Sequence, residues 1–352
     1  MRDFNGEPVF ISIIIPVFNT YEYIERCISS IKNMENDNIE IILVDDGSTD
    51  DSGKLCDDIA NKSDHIFSYH KENAGLASAR NYGIEHSTGD YIIFIDSDDW
   101  VSENLIEFLC KHLYDKEIDI LKFGMQRVVN GKLTSKQIPY FEEKKYNRKE
   151  IENDLLPGTI GPIRLFDYNK ISIASVYCCA YRREFINNNH LRFQSDLEIN
   201  EDMLFNIQCM LAAQKVEITH EILYYYDYRE GSLSQRKTPN FLDMKIKLLD
   251  IEKRNLINMG YWNIYETNYF NACADHFYDC ITYACKKKYN LNKQKSINEI
   301  NEILNHPYCI ESLKKCNHSH LTLKGYCIYW MMRLKIAYPI FTLYRLLKRT
   351  QD

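Results

Sequence analysis

The first hundred residues alternate between apolar runs and amphipathic segments. Residues 11–18, 39–44 and 91–95 are nearly continuous apolar runs, which are typical of parallel strands covered on both faces. A weaker strand is predicted at 65–70, and helices are predicted between the strands, one of them at 74–86. Repeated strand-helix-strand units predict a mostly parallel sheet with right-handed crossovers and helices on both faces.

The pattern changes along the rest of the chain. Strand and helix signals continue less regularly to about residue 237, and beyond Pro239 the chain is rich in Lys and Asn and helical in periodicity. We therefore predict an α/β domain over residues 1–237, with one half at about 9–115 and the other at 116–237. A helical C-terminal region is predicted over residues 238–352.

Acidic residues follow two of the predicted buried strands. Asp45 and Asp46 end the second strand, and Asp96-Ser97-Asp98 follows the fourth. Open α/β sheets bind ligands at the carboxyl ends of their strands, where buried carboxylates are costly unless they are used. Two aspartates one residue apart can hold a divalent cation that bridges a diphosphate. Asp45 and Asp46 can accept hydrogen bonds from a base or ribose, or can belong to a turn that starts the next helix.

Two helix starts carry further polar groups. Asn19 and Thr20 precede the first predicted helix and can cap it. Gly75 allows close backbone approach at the start of the helix at 74–86, and Arg80 can present a planar cation to a base or phosphate. On its own, this second segment is also consistent with a helix that carries one outward arginine.

Four segments together resemble the bacterial family-2 glycosyltransferases, which have the GT-A fold. They are residues 12–19 (SIIIPVFN), 44–50 (VDDGSTD), 73–81 (NAGLASARN) and 94–100 (FIDSDDW). The resemblance implies a Rossmann-like, mostly parallel sheet flanked by helices, here with a C-terminal helical extension. It also implies transfer of a hexosyl or N-acetylhexosaminyl group, as in enzymes that build capsules and exopolysaccharides.

The resemblance assigns roles on the donor side. The residues implied to bind the donor nucleotide are Pro16, Phe18, Asn19, Asp45, Asp46, Asn73, Arg80, Asp96 and Ser97. Asp98, together with Asp96, is implied to hold Mn2+ or Mg2+. A UDP-sugar is the expected donor because uridine is the commonest base among such enzymes.

On the acceptor side, Glu201 and Asp202 lie at the start of a helix predicted at 202–213 and look like the family's acidic pair. The resemblance implies that Asp202 is the catalytic base and that Glu201 assists it, which fits inversion, since a carboxylate takes the proton of the attacking hydroxyl. From the residues alone, an acid that complements the helix dipole is the simpler interpretation.

Residues 226–234 resemble a segment that closes over the diphosphate in related enzymes. Arginine and hydroxyl groups there can bind phosphate oxygens. The predicted diphosphate-binding residues are Arg229, Ser232 and Ser234.

Composition limits the classes of binding partner and the cellular location that we expect. The net charge is −7, from 43 Lys and Arg against 50 Asp and Glu, which disfavours a nucleic-acid partner. The 12 cysteines are scattered without a CxxC pair, and the first residues do not resemble a signal peptide. These features favour reduced thiols and a cytoplasmic location.

Residues 321–350 form a basic, aromatic-rich end without an acidic residue. Its basic residues are Lys324, Arg333, Lys335, Arg345, Lys348 and Arg349. An amphipathic helix kinked at Pro339 is predicted here, lying on the cytoplasmic face of the cell membrane. The alternative is a helix packed back onto the catalytic domain, with its lysine side chains reaching to solvent.

The whole pattern predicts an inverting, metal-dependent glycosyltransferase in bacterial surface polysaccharide synthesis. The expected acceptor is a carbohydrate or an undecaprenyl-type lipid-linked oligosaccharide. Two alternatives are a catalytically inactive nucleotide-sugar-binding protein and a nucleotide-sugar pyrophosphorylase. The pyrophosphorylase is disfavoured because the loop at residues 17–21 has neither the glycines nor the basic residue that would hold a triphosphate.

Overall fold

The structure is a computed structural model that describes residues 8–31, 38–162, 165–166, 175–229, 238–286, 292–319 and 321–348. The chain divides into two compact units. The first comprises Met1–Leu155 and Lys170–Ser234, and the second comprises Leu156–Asn169 and Gln235–Asp352. The boundaries predicted at about residue 115 and at residue 237 stay predictions.

The first unit is built on a ten-stranded mixed sheet. Its strands are β1 Ile11–Val17, β2 Ile39–Asp45, β3 Ile66–His70, β4 Tyr91–Phe94, β5 Trp100–Val101, β6 Ile120–Val129, β7 Lys132–Gln137, β8 Lys144–Asn147, β9 Cys179–Arg182 and β10 Lys215–Tyr228. The spatial order is β3-β2-β1-β4-β9-β6-β10-β5, while β7 pairs with β6 and β8 with β10. The pairs β3-β2, β2-β1, β1-β4 and β6-β10 are parallel, whereas β9 runs antiparallel to both of its neighbours. The predicted α/β fold is confirmed.

Helices account for most of the remaining described residues. They are α1 Tyr21–Ser29, α2 Ser52–Ala60, α3 Leu76–His86, α4 Leu105–His112, α5 Arg148–Glu150, α6 Leu156–Ile160, α7 Arg183–Asn188, α8 Glu201–Ala212, α9 Phe241–Asn258, α10 Trp262–Cys285, α11 Lys293–Asn305, α12 Pro307–Lys315, α13 Leu323–Arg333 and α14 Ala337–Lys348. A π-helical turn at Ile151–Leu155 precedes α6, and a 3-10 turn at Val176–Cys178 precedes β9.

The apolar runs of the sequence become the centre of the sheet. Every residue of β1, β2 and β4 is buried, which explains why these strands lack an alternating pattern. Helix α3 packs directly on β1 because Gly83 has no side chain. A Cβ atom at Gly83 would lie 2.3 Å from Cγ2 of Ile14. The strands and helices predicted over the first hundred residues are confirmed. The loops that follow β1, β2 and β4 lie together at the carboxyl ends of these strands.

The second unit consists of α6 and α9–α14. Helix α6 packs against α10, where the Asn268 side chain donates to the carbonyl of Pro157 across 3.1 Å. A kink at Pro339 was the expectation for the C-terminal end, and that prediction is wrong. The break lies at residues 334–336, where Lys335 has a φ of 57°, and Pro339 sits in the first turn of α14, where a missing N–H costs little. None of the helices that the structure describes combines the length and apolar character needed to cross a bilayer.

Candidate active site

The segment after β4 is anchored from β10. The backbone N–H of Asp96 donates to the Tyr224 hydroxyl at 3.2 Å, and that hydroxyl donates to Asp99 Oδ2 at 2.6 Å. The N–H of Asp227 donates to Asp99 Oδ1 at 2.8 Å. Asp99 is therefore a buried anchor, whereas Asp96 and Asp98 remain partly exposed at the end of the sheet.

Two arginines hold Asp98. Nη2 of Arg229 donates to its carboxylate at 2.6 Å, and Nη2 of Arg26 donates to its carbonyl at 2.5 Å. The same atom of Arg26 donates to the carboxylate of Asp227 at 2.8 Å. Burial, and next the nearby charge of Asp96, raises the pKa of Asp98 to about 6. Burial and the neighbouring Asp96 charge thus both disfavour the ionised form of Asp98.

The donor chemistry of this cluster fits a divalent cation. Asp96 and Asp98 offer hard carboxylate oxygens, and their mutual repulsion would be relieved by a positive ion. Mg2+ typically takes one or two protein carboxylates and completes its shell with phosphate and water. Within the described ranges, no three His, Cys, Asp or Glu side chains are grouped to hold a metal by themselves. A divalent cation held by Asp96 and Asp98 stays a prediction.

Arg80 lies under this cluster and is almost fully buried. Its Nη2 donates to Asp96 Oδ1 at 2.9 Å, and its Nη1 donates to Glu201 Oε1 at 3.0 Å. The guanidinium also lies 5.3 Å from the ring centre of Phe193. The side chain predicted to meet a base or phosphate thus bridges two carboxylates, and direct contact with the nucleotide stays a prediction.

Asp46 is engaged by the loop that precedes α3. Its Oδ1 accepts from Nζ of Lys71 at 2.5 Å and from the N–H of Ala74 at 3.1 Å, and its Oδ2 accepts from the N–H of Gly75 at 2.8 Å. Gly75 has a φ of 89°, which favours glycine. Asp46 therefore shapes the loop that presents Asn73, whose side chain is exposed.

Asp45 and Asn19 stabilise the turn between β2 and α2. Asp45 Oδ1 accepts from the N–H of Ser48 at 3.0 Å. Asn19 Oδ1 accepts from the N–H of Thr49 at 2.8 Å, and the backbone of Asn19 is left-handed, with a φ of 52°. The predicted capping of α1 is wrong, since neither the Asn19 nor the Thr20 side chain caps this helix. Instead, the Asn19 side chain binds the turn after β2, and the Thr20 hydroxyl contacts Ser97 after β4.

The remaining donor-side residues line the same edge. The Ser97 and Thr20 hydroxyls are 2.9 Å apart. Pro16 is buried inside β1, whereas Phe18 just beyond the strand is 41% exposed and offers an aromatic face. Ser232 and Ser234 lie outside the described residues. The nucleotide and diphosphate roles of these residues stay predictions.

Glu201 and Asp202 form the first turn of α8. Burial, and next the Asp202 charge, raises the pKa of Glu201 to about 7 despite its contact with Arg80. Burial also raises the pKa of Asp202, whose Oδ1 accepts from the N–H of Met203 at 2.7 Å. A carboxylate with a raised pKa is a stronger base, so the pair suits proton abstraction near neutral pH. The catalytic roles themselves stay predictions.

Several residues of this site were not found by the sequence reasoning. Tyr224, Asp99, Arg26 and Lys71 all fix donor-side loops. Asp99 directly follows the predicted metal-binding aspartates and could have been suspected from that position. Tyr224 and Arg26 carried no local signal, because their partners lie 128 and 72 positions away in the chain.

Comparison with known families identifies the chain. A sequence model of the family described as "Glycosyl transferase family 2" matches residues 12–189, just over half of the chain. The chain therefore belongs to glycosyl transferase family 2, which confirms the resemblance that the four donor-side segments carry.

Two curated relatives and one solved structure illustrate the similarity. Glycosyltransferase GlyA of Streptococcus pneumoniae is 29% identical over 306 residues, which cover 82% of this chain and 41% of GlyA. The uncharacterized glycosyltransferase EpsJ of Bacillus subtilis is 30% identical over 276 residues, covering 78% of this chain and 75% of EpsJ. The crystal structure of S. aureus TarS 1-349 in complex with UDP-GlcNAc has a TM-score of 0.66 at 19% identity, covering 97% of this chain and 92% of that one. This last match supports the fold.

Proposed function

We propose that the protein transfers a hexosyl or N-acetylhexosaminyl group from a UDP-sugar to a carbohydrate acceptor, with inversion at the anomeric carbon. One observation carries the proposal. A single buried guanidinium, that of Arg80, contacts Asp96 on the donor side and Glu201 beside the proposed base Asp202. The two acidic motifs, far apart in sequence, therefore meet at one end of the sheet. The UDP-GlcNAc bound by TarS supports a UDP-sugar as donor.

In the proposed reaction Asp202 acts as the base. The acceptor hydroxyl oxygen bonds to the anomeric carbon while the bond from that carbon to the β-phosphate oxygen breaks. The hydroxyl proton passes to the carboxylate of Asp202, and the nucleoside diphosphate leaves with the electron pair of the broken bond. Arg80 holds Glu201 in place, so that the neighbouring Asp202 is positioned by the same rigid first turn of α8.

Asp98, with Asp96, would hold Mn2+ or Mg2+ together with the diphosphate. When bound, such an ion neutralises the charge that develops on the leaving phosphate. Arg229 already neutralises part of the Asp98 charge across 2.6 Å, and its guanidinium is suited to phosphate oxygens as well. Phe18 and Asn73 are exposed at the same edge, where they would contact the nucleoside.

The acceptor and the location follow from the resemblance to capsule and exopolysaccharide enzymes. We infer a growing surface polysaccharide, free or carried on an undecaprenyl-type lipid, as the acceptor. UDP-sugars are cytoplasmic metabolites in this scheme, so the reaction would take place in the cytoplasm or at the cytoplasmic face of the membrane.

The proposal is tested by separating donor binding from turnover. Thermal shift with a panel of UDP-sugars and Mn2+ identifies the donor, because a ligand that binds the folded state raises its stability. Asp98→Ala should abolish the metal-dependent part of that shift. Asp202→Asn should keep the shift but lower the rate of UDP release by at least about a hundredfold.

Asp64→Ala provides a matched control, since Asp64 is an exposed aspartate just before β3. This control variant should behave as the wild type in both assays. If no UDP-sugar stabilised the wild type, or if Asp202→Asn released UDP at the normal rate, the proposed function would be wrong.

A further inference from the structure

Helix α13 exposes an apolar stripe along one side. Leu323, Tyr326, Trp330 and Leu334 are 83%, 49%, 41% and 63% exposed. Their spacings of three and four residues place them on one face of the helix and its C-terminal end. The rings of Tyr326 and Trp330 are in edge contact, with centres 6.2 Å apart. We call this set of four residues the α13 outer face.

The opposite side of α13 is already used for packing. Ile328, Tyr329 and Met332 are buried in the second unit. The Tyr329 hydroxyl donates to the carbonyl of Leu313 in α12 at 3.0 Å. Helix α13 is thus apolar on two sides, and its buried side fixes it against the rest of the second unit. A contiguous apolar surface on the other side is typical of an interaction site.

Cations border the α13 outer face. Lys324 and Arg333 lie on its two flanks by helical position, and both are exposed. Lys335, also exposed, follows directly after Leu334. Residues 321–350 contain no Asp or Glu, although the whole chain has a net charge of −7. The positive charge is therefore concentrated where the apolar side chains are exposed.

We propose that the α13 outer face docks onto the surface of an anionic lipid bilayer. Leucine side chains would enter the acyl boundary, while Tyr326 and Trp330 would sit at headgroup depth, where amphipathic rings are favoured. Lys324, Arg333 and Lys335 would contact lipid phosphates. A second copy of this chain fits less well, because a two-fold contact through this face would bring the two sets of cations together.

Vesicle co-sedimentation of the full chain tests this proposal. The wild type should bind vesicles that contain phosphatidylglycerol and should bind pure phosphatidylcholine vesicles much more weakly. The double variant Trp330→Ser/Leu334→Ser should lower the partition coefficient by at least about tenfold. Lys324→Gln/Arg333→Gln should lower it by about thirtyfold on anionic vesicles only, since each of the two cations contributes about 1 kcal/mol near the surface.

A matched control is Ile264→Ser, because Ile264 on α10 is 65% exposed but lies in another helix of the same unit. It should bind as the wild type does. Equal binding by the wild type and the Trp330→Ser/Leu334→Ser variant would overturn the proposal, as would failure of the wild type to bind anionic vesicles. If that double variant instead turned a dimer into a monomer in analytical ultracentrifugation, the face would be covered by a second copy. None of these outcomes depends on sugar transfer.

Discussion

Arg80 donates to Asp96 across 2.9 Å from a side chain that is almost completely buried. The second arm of the same guanidinium donates to Glu201 at 3.0 Å. One buried cation thus balances two carboxylates, one from the segment after β4 and one from the first turn of α8. Because a buried charge is tolerated only when it is paired, the two carboxylates and the arginine form a unit whose members depend on each other.

Replacing Arg80 should therefore affect stability as well as activity. Arg80→Met leaves Asp96 and Glu201 without their shared cation, and removal of one member of a buried ion pair typically costs about 3–5 kcal/mol. Arg229→Met provides the contrast, because its pair with Asp98 is partly exposed and should contribute less than about 1 kcal/mol. Urea unfolding followed by tryptophan fluorescence measures both. Equal losses for the two variants would contradict the structural role of Arg80.

The pH dependence of turnover should report the acidic pair. The pKa of Glu201 is raised to about 7, so protonation below that pH removes a charge from its contact with Arg80. We expect kcat/KM to fall as the pH drops through about 7. Glu201→Gln should abolish this acidic limb and leave kcat/KM low and flat near neutral pH, because a neutral amide mimics the protonated Glu201 side chain.

Glu184→Gln is the control for that experiment, since the Glu184 side chain is largely exposed on α7. Its pH profile should match that of the wild type. An acidic limb that stayed at the same pH in Glu201→Gln would show that the pair does not limit the rate.

The parts of the fold that were predictable are those with a local cause. The runs at residues 11–18, 39–44 and 91–95 are apolar throughout because both faces of β1, β2 and β4 are buried. The position of β9 had no such signal. Its four residues are antiparallel to β4 and β6, and this placement depends on pairing between distant segments. The sequence pattern alone favoured parallel neighbours.

In the site, too, contacts between residues that are distant in the chain could not be predicted from the sequence. The acidic residues at the ends of β2 and β4 could be located because strand ends are visible in the sequence. Several of their partners could not, since Asp99 accepts from Tyr224 across 125 positions and Asp98 accepts from Arg229 across 131 positions. The nucleotide-binding role of Asp46 stays a prediction, and the contacts that its oxygens accept from Lys71, Ala74 and Gly75 had no signal in the sequence. Hydrogen-bond capacity of a carboxylate is evident from sequence, whereas the groups that satisfy it are not.

The close contact of α3 with β1 should tolerate no added atom. Gly83→Ala would place a Cβ 2.3 Å from Cγ2 of the buried Ile14. Overpacking of this kind costs about 1–3 kcal/mol, and the better helix propensity of alanine offsets about 1 kcal/mol of it. Thermal unfolding should show a lower Tm for Gly83→Ala. Adding Ile14→Ala, which removes the clashing Cγ2, should recover part of the loss relative to Ile14→Ala alone. Strictly additive effects would contradict the contact.

A buried carboxyl group in the second unit should make stability depend on pH. Both oxygens of Glu252 in α9 are buried without a hydrogen-bond partner, and burial raises its pKa to about 8. An unfolded chain has a glutamate pKa near 4.3, so between about 4.3 and 8 the folded form holds a proton that the unfolded form has released. Stability contributed by this group is therefore fully present below about pH 4.3 and is lost as the pH rises toward 8, by at most about 1.4 kcal/mol per pH unit.

Glu252→Gln removes that ionisation while keeping the size of the side chain. The Tm of the variant should exceed that of the wild type by a margin that grows from pH 5 to pH 8, because only the wild type must keep a proton on the buried group. Glu266→Gln is the control, since Glu266 on α10 is partly exposed and ion-paired with Lys315 at 3.2 Å. Scanning fluorimetry in matched buffers measures all three proteins. A margin between Glu252→Gln and the wild type that stayed constant over this range would mean that Glu252 does not hold its proton in the folded chain.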